Sequence, residues 1–293
     1  MSLLHQALSI CDYFNSLLGK TVPGGDVWAI NHARGSTVEV SEHTMRILEL
    51  ALEMFDVSGG RFNIAIGPVI SLWGFQSGSA DIPAQEALAL ALANTDCGLI
   101  RLSGHSVEVP DGMQIDLGGI AKGYIADRVA EYLRENGVGS ALIDLGGNIL
   151  TIGRKPDGSP WKIGLQVPFI DREYRDKYWS VLECCDESIV TSGIYERGFF
   201  KNDRWYHHIL DSATGMPVDN GVLSVTVCAS SSFLADALTT PLFLLGEREG
   251  ASLAGRYGVD AAFYLNDNRV ILSAGMEKRL NRLRQGSLFT KSD

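Results

Sequence analysis

The amino-acid sequence predicts an α+β fold in which mixed or antiparallel sheets pack against helices. Segments with helical periodicity lie among short segments rich in β-branched and aromatic residues, and only one strand–helix–strand unit is clear, which argues against a doubly wound fold. No low-complexity linker divides the 293 residues, and a hydrophobic content of 45% is enough to bury a large core. We therefore expect a single domain over residues 1–293, long enough to be organised as two lobes.

In the first hundred or so residues, two helices and a hairpin are predicted. Residues 41–57 place apolar side chains at helical spacing behind Ser41, an N-cap residue. The glycine- and aromatic-rich residues 58–78 are typical of a loop that holds a ligand, or of one that packs aromatic rings into the core. A short buried helix is predicted after Pro83, and alternation over residues 98–109 indicates a hairpin.

The sequence Ile-Asp-Leu-Gly-Gly occurs twice, beginning at Ile115 and again at Ile143. The first copy ends a short predicted strand, residues 113–117, and leads into a helix over residues 120–135, so its glycines form a strand-to-helix corner. The second copy continues into β-branched and apolar residues, so its glycines indicate a bend within a strand pair. Because the flanking elements differ, we interpret the copies as two loops that meet near one site.

The second half of the chain is predicted to contain further strands and one helix. The helix covers residues 231–246, and a turn at residues 154–160 separates the second glycine copy from the next strand. The predicted strands are residues 161–168, 188–193, 204–211 and 223–229.

Composition excludes several classes of protein. The formal net charge is −10, and the basic segment 277–286 has the spacing of a solvated helix face, so no nucleic-acid partner is expected. Five cysteines show neither zinc-binding spacing nor the even number of a complete disulfide framework. No apolar run is long enough to span a membrane and no signal peptide is recognisable, so the sequence as given predicts a soluble, cytoplasmic protein.

Three groups of residues are candidates for chemistry. The glycine corner beside Lys122 suits a phosphate, or else provides close packing between a strand and a helix. Asp236 and Thr240 lie four residues apart, so on a helix their oxygens share one face, as Mg²⁺ ligands or as an ordinary solvated surface. His208 and Asp211 precede a glycine turn, where the imidazole is a candidate general base and an Asx-type turn is the alternative.

In order and spacing, these motifs resemble the FAD:protein FMN transferases of the ApbE type. The resemblance covers about residues 25–250 and is carried by SGGRFNIAIGPVISLWGF, IDLGGIAKGYIADRVAEYL, VTSGIYER, HHILDSATGMPV and ADALTTPLFLLG. It implies an ApbE-like flavin transferase fold. It also implies a Mg²⁺-dependent reaction in which FAD is cleaved at its pyrophosphate, AMP is released, and FMN is attached to a threonine of an acceptor protein. The expected acceptor is a subunit of a redox complex with a Ser/Thr-Gly-Ala-Thr type motif.

The resemblance also assigns roles to individual residues. His208 is expected to act as the base on the acceptor threonine, and Asp236 is expected to be essential for catalysis. The expected metal ligands are the Gly119 backbone carbonyl, Asp236, Thr239 and Thr240. The residues expected to bind FAD are Asn31, Trp73, Gly74, Phe75, Asp116, Lys122 and Leu210.

The sequence departs from the family's pattern at several positions. Pro241 replaces a small residue and, since proline disfavours helical geometry in the residue before it, is expected to disturb Thr240. Asn148 stands where an acidic residue is frequent, Ser212 replaces a proline, and the family's first strand is expected to be missing. Two alternatives to the transferase therefore stay open, namely an FAD pyrophosphatase that gives FMN and AMP, and a non-catalytic FAD-binding protein.

Overall fold

The structure of the chain, a computed structural model, describes residues 2–75, 81–169, 178–280 and 288–291. It divides into two units, each of which contains two separate stretches of the chain. The first unit is Met1–Ala121 with Arg197–Val218, and the second is Lys122–Glu196 with Asp219–Asp293.

The first unit combines five described helices with two small antiparallel sheets. The helices are α1 (Leu3–Leu18), α2 (Asp26–His32), α3 (Glu42–Val57), α4 (Gly67–Trp73) and α5 (Gln85–Leu92). The strands are β1 (Val38–Glu39), β2 (Arg101–Ser103), β3 (Ser106–Glu108), β9 (Gly198–Lys201) and β10 (Arg204–His207), numbered along the whole chain. One sheet has the order β1-β3-β2, and β9 pairs with β10 in the other.

Two predicted elements of the first unit are confirmed. Ser41 caps α3, because its hydroxyl accepts a hydrogen bond from the Thr44 N–H at 3.2 Å. β2 and β3 form the hairpin predicted within residues 98–109, and Ser103 pairs with Ser106 on either side of its turn.

Three other expectations for this unit need correction. The aromatic-rich residues 58–78 contain the regular helix α4, and residues 76–78 lie outside the described part. The helix after Pro83 exists as α5, but Leu88 is its one buried residue and Leu90 is 72% exposed, so the expectation of a buried helix was wrong. Residues 113–117 form no regular strand, since only Gln114 makes a bridge, to Ile66.

The second unit is built on a seven-stranded sheet. Its strands are β4 (Ala141–Asp144), β5 (Asn148–Ile152), β6 (Trp161–Gln166), β7 (Tyr178–Cys184), β8 (Ser188–Gly193), β11 (Val222–Ala229), β12 (Asp260–Leu265), β13 (Arg269–Leu272) and β14 (Leu288–Lys291). Its helices are α6, which begins at the unit boundary (Ala121–Glu135), α7 (Ser232–Tyr257) and α8 (Ala274–Arg279).

The large sheet has the order β14-β13-β12-β11-β8-β5-β4, and β6 pairs with β7 separately. Neighbouring strands are antiparallel except for the parallel pair β13 and β14, so the predicted α+β class with mixed sheets is confirmed. The second glycine copy is a turn within the pair β4–β5, where Gly146 and Gly147 have positive φ angles of 64° and 86°. That the two glycine loops approach one ligand stays a prediction.

Helix α7 is broken at Gly246, where the helix predicted over residues 231–246 ends, and its first part tolerates the internal proline. Non-helical backbone angles occur at Gly246, where φ is 80°, while Thr240 and Pro241 stay within the helix. The Asn220 side chain donates a hydrogen bond of 2.7 Å to the Phe243 carbonyl, one of the acceptors that such a break leaves open. The expected disturbance of Thr240 by Pro241 is therefore not seen.

At the other end of the second unit, α8 ends at Arg279, so most of the predicted basic helix face at residues 277–286 lies outside the described residues. Among the helices that the structure describes, none is both long enough and apolar enough to span a membrane.

Candidate functional site

Among the predicted site residues of the second unit, Asp236 is a buried carboxylate with two polar partners on α6. It lies on α7 with 2% of its surface exposed. Its Oδ2 accepts a hydrogen bond of 2.8 Å from the Gly123 N–H, and its Oδ1 lies 3.4 Å from the Lys122 ammonium. Both partners belong to the first turn of α6, where unpaired N–H groups and the helix dipole favour a negative charge.

A glycine is required at position 123 because α6 and α7 are very close there. A Cβ atom on Gly123 would lie 2.2 Å from the Ser232 carbonyl oxygen and 2.6 Å from the Asp236 Cβ. Backbone cannot move away as a flexible side chain can, so any larger residue would push the helices apart. The glycine therefore sets the helix contact through which Asp236 reaches the start of α6.

Burial dominates the electrostatics of Asp236. Removal from water raises the pKa of its carboxyl group, while the positive charge of Lys122 and hydrogen bonds from Gly123 and Lys122 lower it in part. Burial outweighs these partners, so the direction of the pKa shift is upward. An additional cation next to Asp236 would offset the cost of burying its charge.

Two threonine hydroxyls lie close to Asp236 along α7. Thr239 is fully buried, and its hydroxyl donates a hydrogen bond of 3.0 Å to the Asp236 carbonyl oxygen. Ser192, on β8, donates to the Thr239 Oγ1 at 2.9 Å and has its own Oγ 3.5 Å from the Thr240 Oγ1. Ser192 belongs to the motif VTSGIYER, and no sequence pattern indicated that it contacts these threonines.

This donor set fits a hard cation such as Mg²⁺. It offers one carboxylate and two hydroxyls, the oxygen ligands that Mg²⁺ takes when it also keeps water and substrate phosphate in its coordination shell. In the part of the chain that the structure describes, no cluster of three or more His, Cys, Asp or Glu side chains is arranged for a metal. The donor set beside Asp236 consists of oxygen atoms, and oxygen ligands suit hard cations better than soft ones.

Two polar groups support this part of α7: Asn148, one of the departures from the family's pattern, and Asp127, which the sequence did not indicate. Asn148 is fully buried, and its Oδ1 accepts a hydrogen bond of 2.7 Å from the Ser232 hydroxyl. Asp127, on α6, accepts from the Ser232 and Phe233 N–H groups and from the Ser231 hydroxyl, so it caps the start of α7. Residues from two other elements thus fix the helix that carries Asp236.

In the first unit, the glycine corner is held by its own aspartate. The Asp116 Oδ1 accepts a hydrogen bond of 2.8 Å from the Gly118 N–H, and the Asp116 Oδ2 lies 2.7 Å from the Lys20 ammonium. The chain then turns through the half-buried Gly119 and enters α6 at Ala121. Asp116 is therefore already paired, and its contact with FAD stays a prediction, as does metal binding by the Gly119 carbonyl.

Asn31 clamps the chain just before that corner. Its Nδ2 donates to the Ile115 carbonyl at 2.9 Å, and its Oδ1 accepts from the Ile115 N–H at 2.7 Å. Because both backbone groups of Ile115 are bonded to a side chain, this edge of residues 113–117 is closed to a neighbouring strand. On the other edge, Gln114 and Asp116 bond to the backbone of residues 64–67. Asn31 therefore has a structural role in addition to its predicted contact with FAD.

The predicted flavin-side residues 73–75 form the end of α4. Trp73 is fully buried, and its indole N–H donates a hydrogen bond of 2.8 Å to the Gly215 carbonyl. Gly74 ends the helix in the left-handed conformation, with a φ of 61°. The half-buried Phe75 ring stacks on Trp73 with centroids 5.5 Å apart. Trp73 thus packs the core, and Phe75 is the ring better placed for solvent or ligand.

The half-buried His208 follows β10 directly. Its Nδ1 lies 3.1 Å from the Arg197 carbonyl oxygen. A carbonyl can only accept, so Nδ1 carries the proton of the neutral ring and Nε2 is the basic nitrogen. This tautomer is the one that a general base acting through Nε2 requires.

The turn after His208 is tightly tied. Leu210 is buried and bridges to Pro217. The Asp211 Oδ1 accepts from the Ala213 N–H at 2.8 Å, which confirms the Asx-type turn that the sequence offered as an alternative. Ser212, in place of the family's proline, donates a hydrogen bond of 2.6 Å to the Gly60 carbonyl.

The predicted site residues are thus divided between the units. Lys122, Asp236 and Thr239 are joined by contacts within the second unit, and Ser192 connects Thr240 to them. The remaining predicted residues belong to the first unit: Asn31, Trp73, Gly74, Phe75, Asp116, Gly119, His208 and Leu210.

Known proteins resemble this chain over most of its length. A FAD:protein FMN transferase of Klebsiella pneumoniae (strain 342) is 38% identical over 297 aligned residues, covering 97% of this chain and 89% of that protein. Another of that name, from Treponema pallidum (strain Nichols), is 38% identical over 273 residues, covering 87% of this chain and 75% of the relative.

Solved structures show the same fold. A crystal structure of the ApbE protein from Thermotoga maritima has a TM-score of 0.88 at 28% identity and covers 96% of this chain and 91% of its own. The flavin transferase ApbE from Vibrio cholerae has a TM-score of 0.85 at 27% identity, with coverages of 95% and 90%. The sequence profile of the ApbE family matches residues 2–263. This chain belongs to the ApbE family.

Proposed function

We propose that this chain is an enzyme that transfers FMN from FAD to an acceptor protein. Relatives named FAD:protein FMN transferase cover most of its length at 38% identity. The observation that carries the proposal is the buried Asp236 held at the start of α6 by Gly123 and Lys122. A carboxylate and a lysine at a helix N-terminus supply a cation ligand and a phosphate partner, which cleavage of a diphosphate requires.

In this proposal the acceptor is a threonine hydroxyl, and AMP is the leaving group. The threonine oxygen forms a bond to the FMN phosphorus as the bond from that phosphorus to the bridging oxygen breaks. His208 takes the hydroxyl proton on Nε2, the nitrogen left basic by the Nδ1 contact with Arg197. The expected acceptor, by family resemblance, is a redox-complex subunit with a Ser/Thr-Gly-Ala-Thr type motif.

Lys122 and the first turn of α6 hold the FAD diphosphate, and Asp236, Thr239 and Thr240 offer oxygens to Mg²⁺. When bound, Mg²⁺ neutralises negative charge that develops on the diphosphate. Removal of an oxygen ligand should therefore affect the rate more than it affects folding. The Phe75 ring, stacked on the buried Trp73, is the proposed flavin contact in the segment 73–75.

The test combines the chain, FAD, Mg²⁺ and an acceptor domain that contains the motif. After denaturing electrophoresis, flavin fluorescence should stay with the acceptor band, and it should be absent when the acceptor threonine is replaced by valine or when Mg²⁺ is chelated. Rapid AMP release without an acceptor would instead identify a pyrophosphatase. FAD that binds tightly and survives unchanged would identify a binding protein.

A further inference from the structure

Ser192 is a polar residue near Asp236 for which the family resemblance gives no role. It lies on β8, and its hydroxyl faces α7, where it contacts the Thr239 and Thr240 hydroxyls at 2.9 and 3.5 Å. The preceding Thr191 points to the other face of the sheet, as strand alternation requires, and its hydroxyl pairs with Thr226 at 2.8 Å. The hydroxyl groups of Thr191 and Ser192 therefore lie on opposite faces of the large sheet.

The direction of each hydrogen bond follows from a count of protons. Each hydroxyl has one proton to donate. Thr239 donates its proton to the Asp236 carbonyl, which can only accept. Ser192 therefore donates its one hydroxyl proton to Thr239 and has none left for Thr240. The Ser192 and Thr240 hydroxyl oxygens are 3.5 Å apart, and a hydrogen bond between them has Thr240 as its donor, because the Ser192 proton is already used.

This direction determines where the lone pairs of Thr240 point. A hydroxyl that donates toward Ser192 turns its lone pairs away from Ser192, and a metal ligand needs its lone pairs directed at the cation. Without Ser192, the Thr240 hydroxyl would turn toward a carbonyl of its own helix, as threonines inside helices commonly do. The Asp236 carbonyl, four residues back, is the natural acceptor.

We propose that Ser192 is a positioning residue for the divalent cation, because it accepts the Thr240 proton and thereby directs the Thr240 oxygen to the cation beside Asp236. The inference rests on the proposed function, since it assumes that Asp236 and Thr240 bind this cation. Outer partners that orient a metal ligand typically change metal affinity by about 10- to 100-fold when they are removed. A hydroxyl bound to a cation is also a stronger donor, so binding reinforces the bond to Ser192.

The test measures Mn²⁺ binding to the full chain without FAD, by the loss of the free-ion electron paramagnetic resonance signal. Ser192→Ala should weaken binding about tenfold or more, and Ser192→Thr, which keeps the hydroxyl, should restore most of the affinity. Thr191→Val is the matched control, because it removes the neighbouring hydroxyl from the opposite face of β8 and should leave affinity unchanged. Thermal unfolding without metal confirms that each variant is folded.

The outcomes separate this inference from the proposed function. If Ser192→Ala binds Mn²⁺ as tightly as the wild type while Asp236→Ala does not bind, the role of Ser192 is refuted and the metal assignment stands. If Asp236→Ala also binds normally, the metal assignment itself fails. An equal loss in Thr191→Val would show a general effect of the strand and overturn the inference. Should the alanine variant not fold, Ser192→Cys replaces it, since a thiol is a weak acceptor of similar shape and should show the same loss.

Discussion

Lys122 has two roles that compete. Its ammonium lies 3.4 Å from the Asp236 Oδ1, whereas the proposed reaction needs it on the diphosphate and needs a divalent cation on Asp236. We therefore expect Lys122→Met to bind Mn²⁺ about fivefold more tightly without FAD, because the partly exposed ammonium, whose ion pair contributes about 1 kcal/mol, no longer competes with the cation for Asp236. Turnover of FAD should fall at the same time.

The control for this measurement is Lys20→Met. Lys20 also pairs with an aspartate, Asp116, at 2.7 Å, but it belongs to the first unit. Its removal should leave Mn²⁺ affinity unchanged. Weaker Mn²⁺ binding in Lys122→Met than in the wild type would show that Lys122 supports the cation rather than competes with it.

Asn31 provides a second test at the residue scale. Replacement by alanine would leave the buried Ile115 N–H and carbonyl without their partners, so the free energy of unfolding should fall by about 2 kcal/mol. Asn136→Ala is the comparison. The Asn136 side chain donates one hydrogen bond, to the Tyr132 carbonyl at the exposed end of α6, so its replacement should change the free energy of unfolding little. Urea denaturation measures both, and equal losses would contradict the clamp role of Asn31.

Sequence patterns predicted the elements whose determinants are local. The helical spacing behind Ser41, the alternation around the turn at residues 104–105, and the period change after the first glycine pair each describe neighbours in the chain. The Asn31 clamp and the Asp127 cap join residues 84 and about 105 positions apart, so no local pattern reveals them. The clamp closes one edge of residues 113–117, and the Asp127 cap adds to the local N-cap that Ser231 forms with the Leu234 N–H at the start of α7.

At the scale of elements, the contact between α6 and α7 depends on one missing side chain. Gly123→Ala would place its Cβ against the Ser232 carbonyl and should lower the free energy of unfolding by about 2 kcal/mol or more. It should also weaken Mn²⁺ binding, since Asp236 would lose its hydrogen bond to the backbone of α6. The control is Gly255→Ala, at an exposed position of α7 where no atom lies within 4 Å of an added Cβ. This replacement should raise the free energy of unfolding by about 0.5–1 kcal/mol. Similar destabilisation by both changes would refute the close-packing argument.

At the scale of the whole molecule, the reactivity of buried cysteines can be used to follow the unfolding of each unit separately. Cys97 lies in the first unit, and Cys184 and Cys228 lie in the second. All three are buried, and burial raises the pKa of Cys97 and Cys184 to about 11 and that of Cys228 higher still. Because the thiolate is the reactive form, these thiols should be inert in the native protein at pH 8. The exposed Cys185 should react first.

Pulsed alkylation over a urea series, followed by peptide mass spectrometry, measures the protection of each thiol. In Gly123→Ala, Cys184 and Cys228 should become reactive at a lower urea concentration than in the wild type, because the strained helix contact lies in their unit. A shift of Cys97 by the same amount would mean that both units unfold in one transition. An unshifted Cys97 would mean that they unfold separately. Unchanged protection of Cys184 and Cys228 would contradict the claim that Gly123 sets the stability of the second unit, since global unfolding exposes them whatever the pathway.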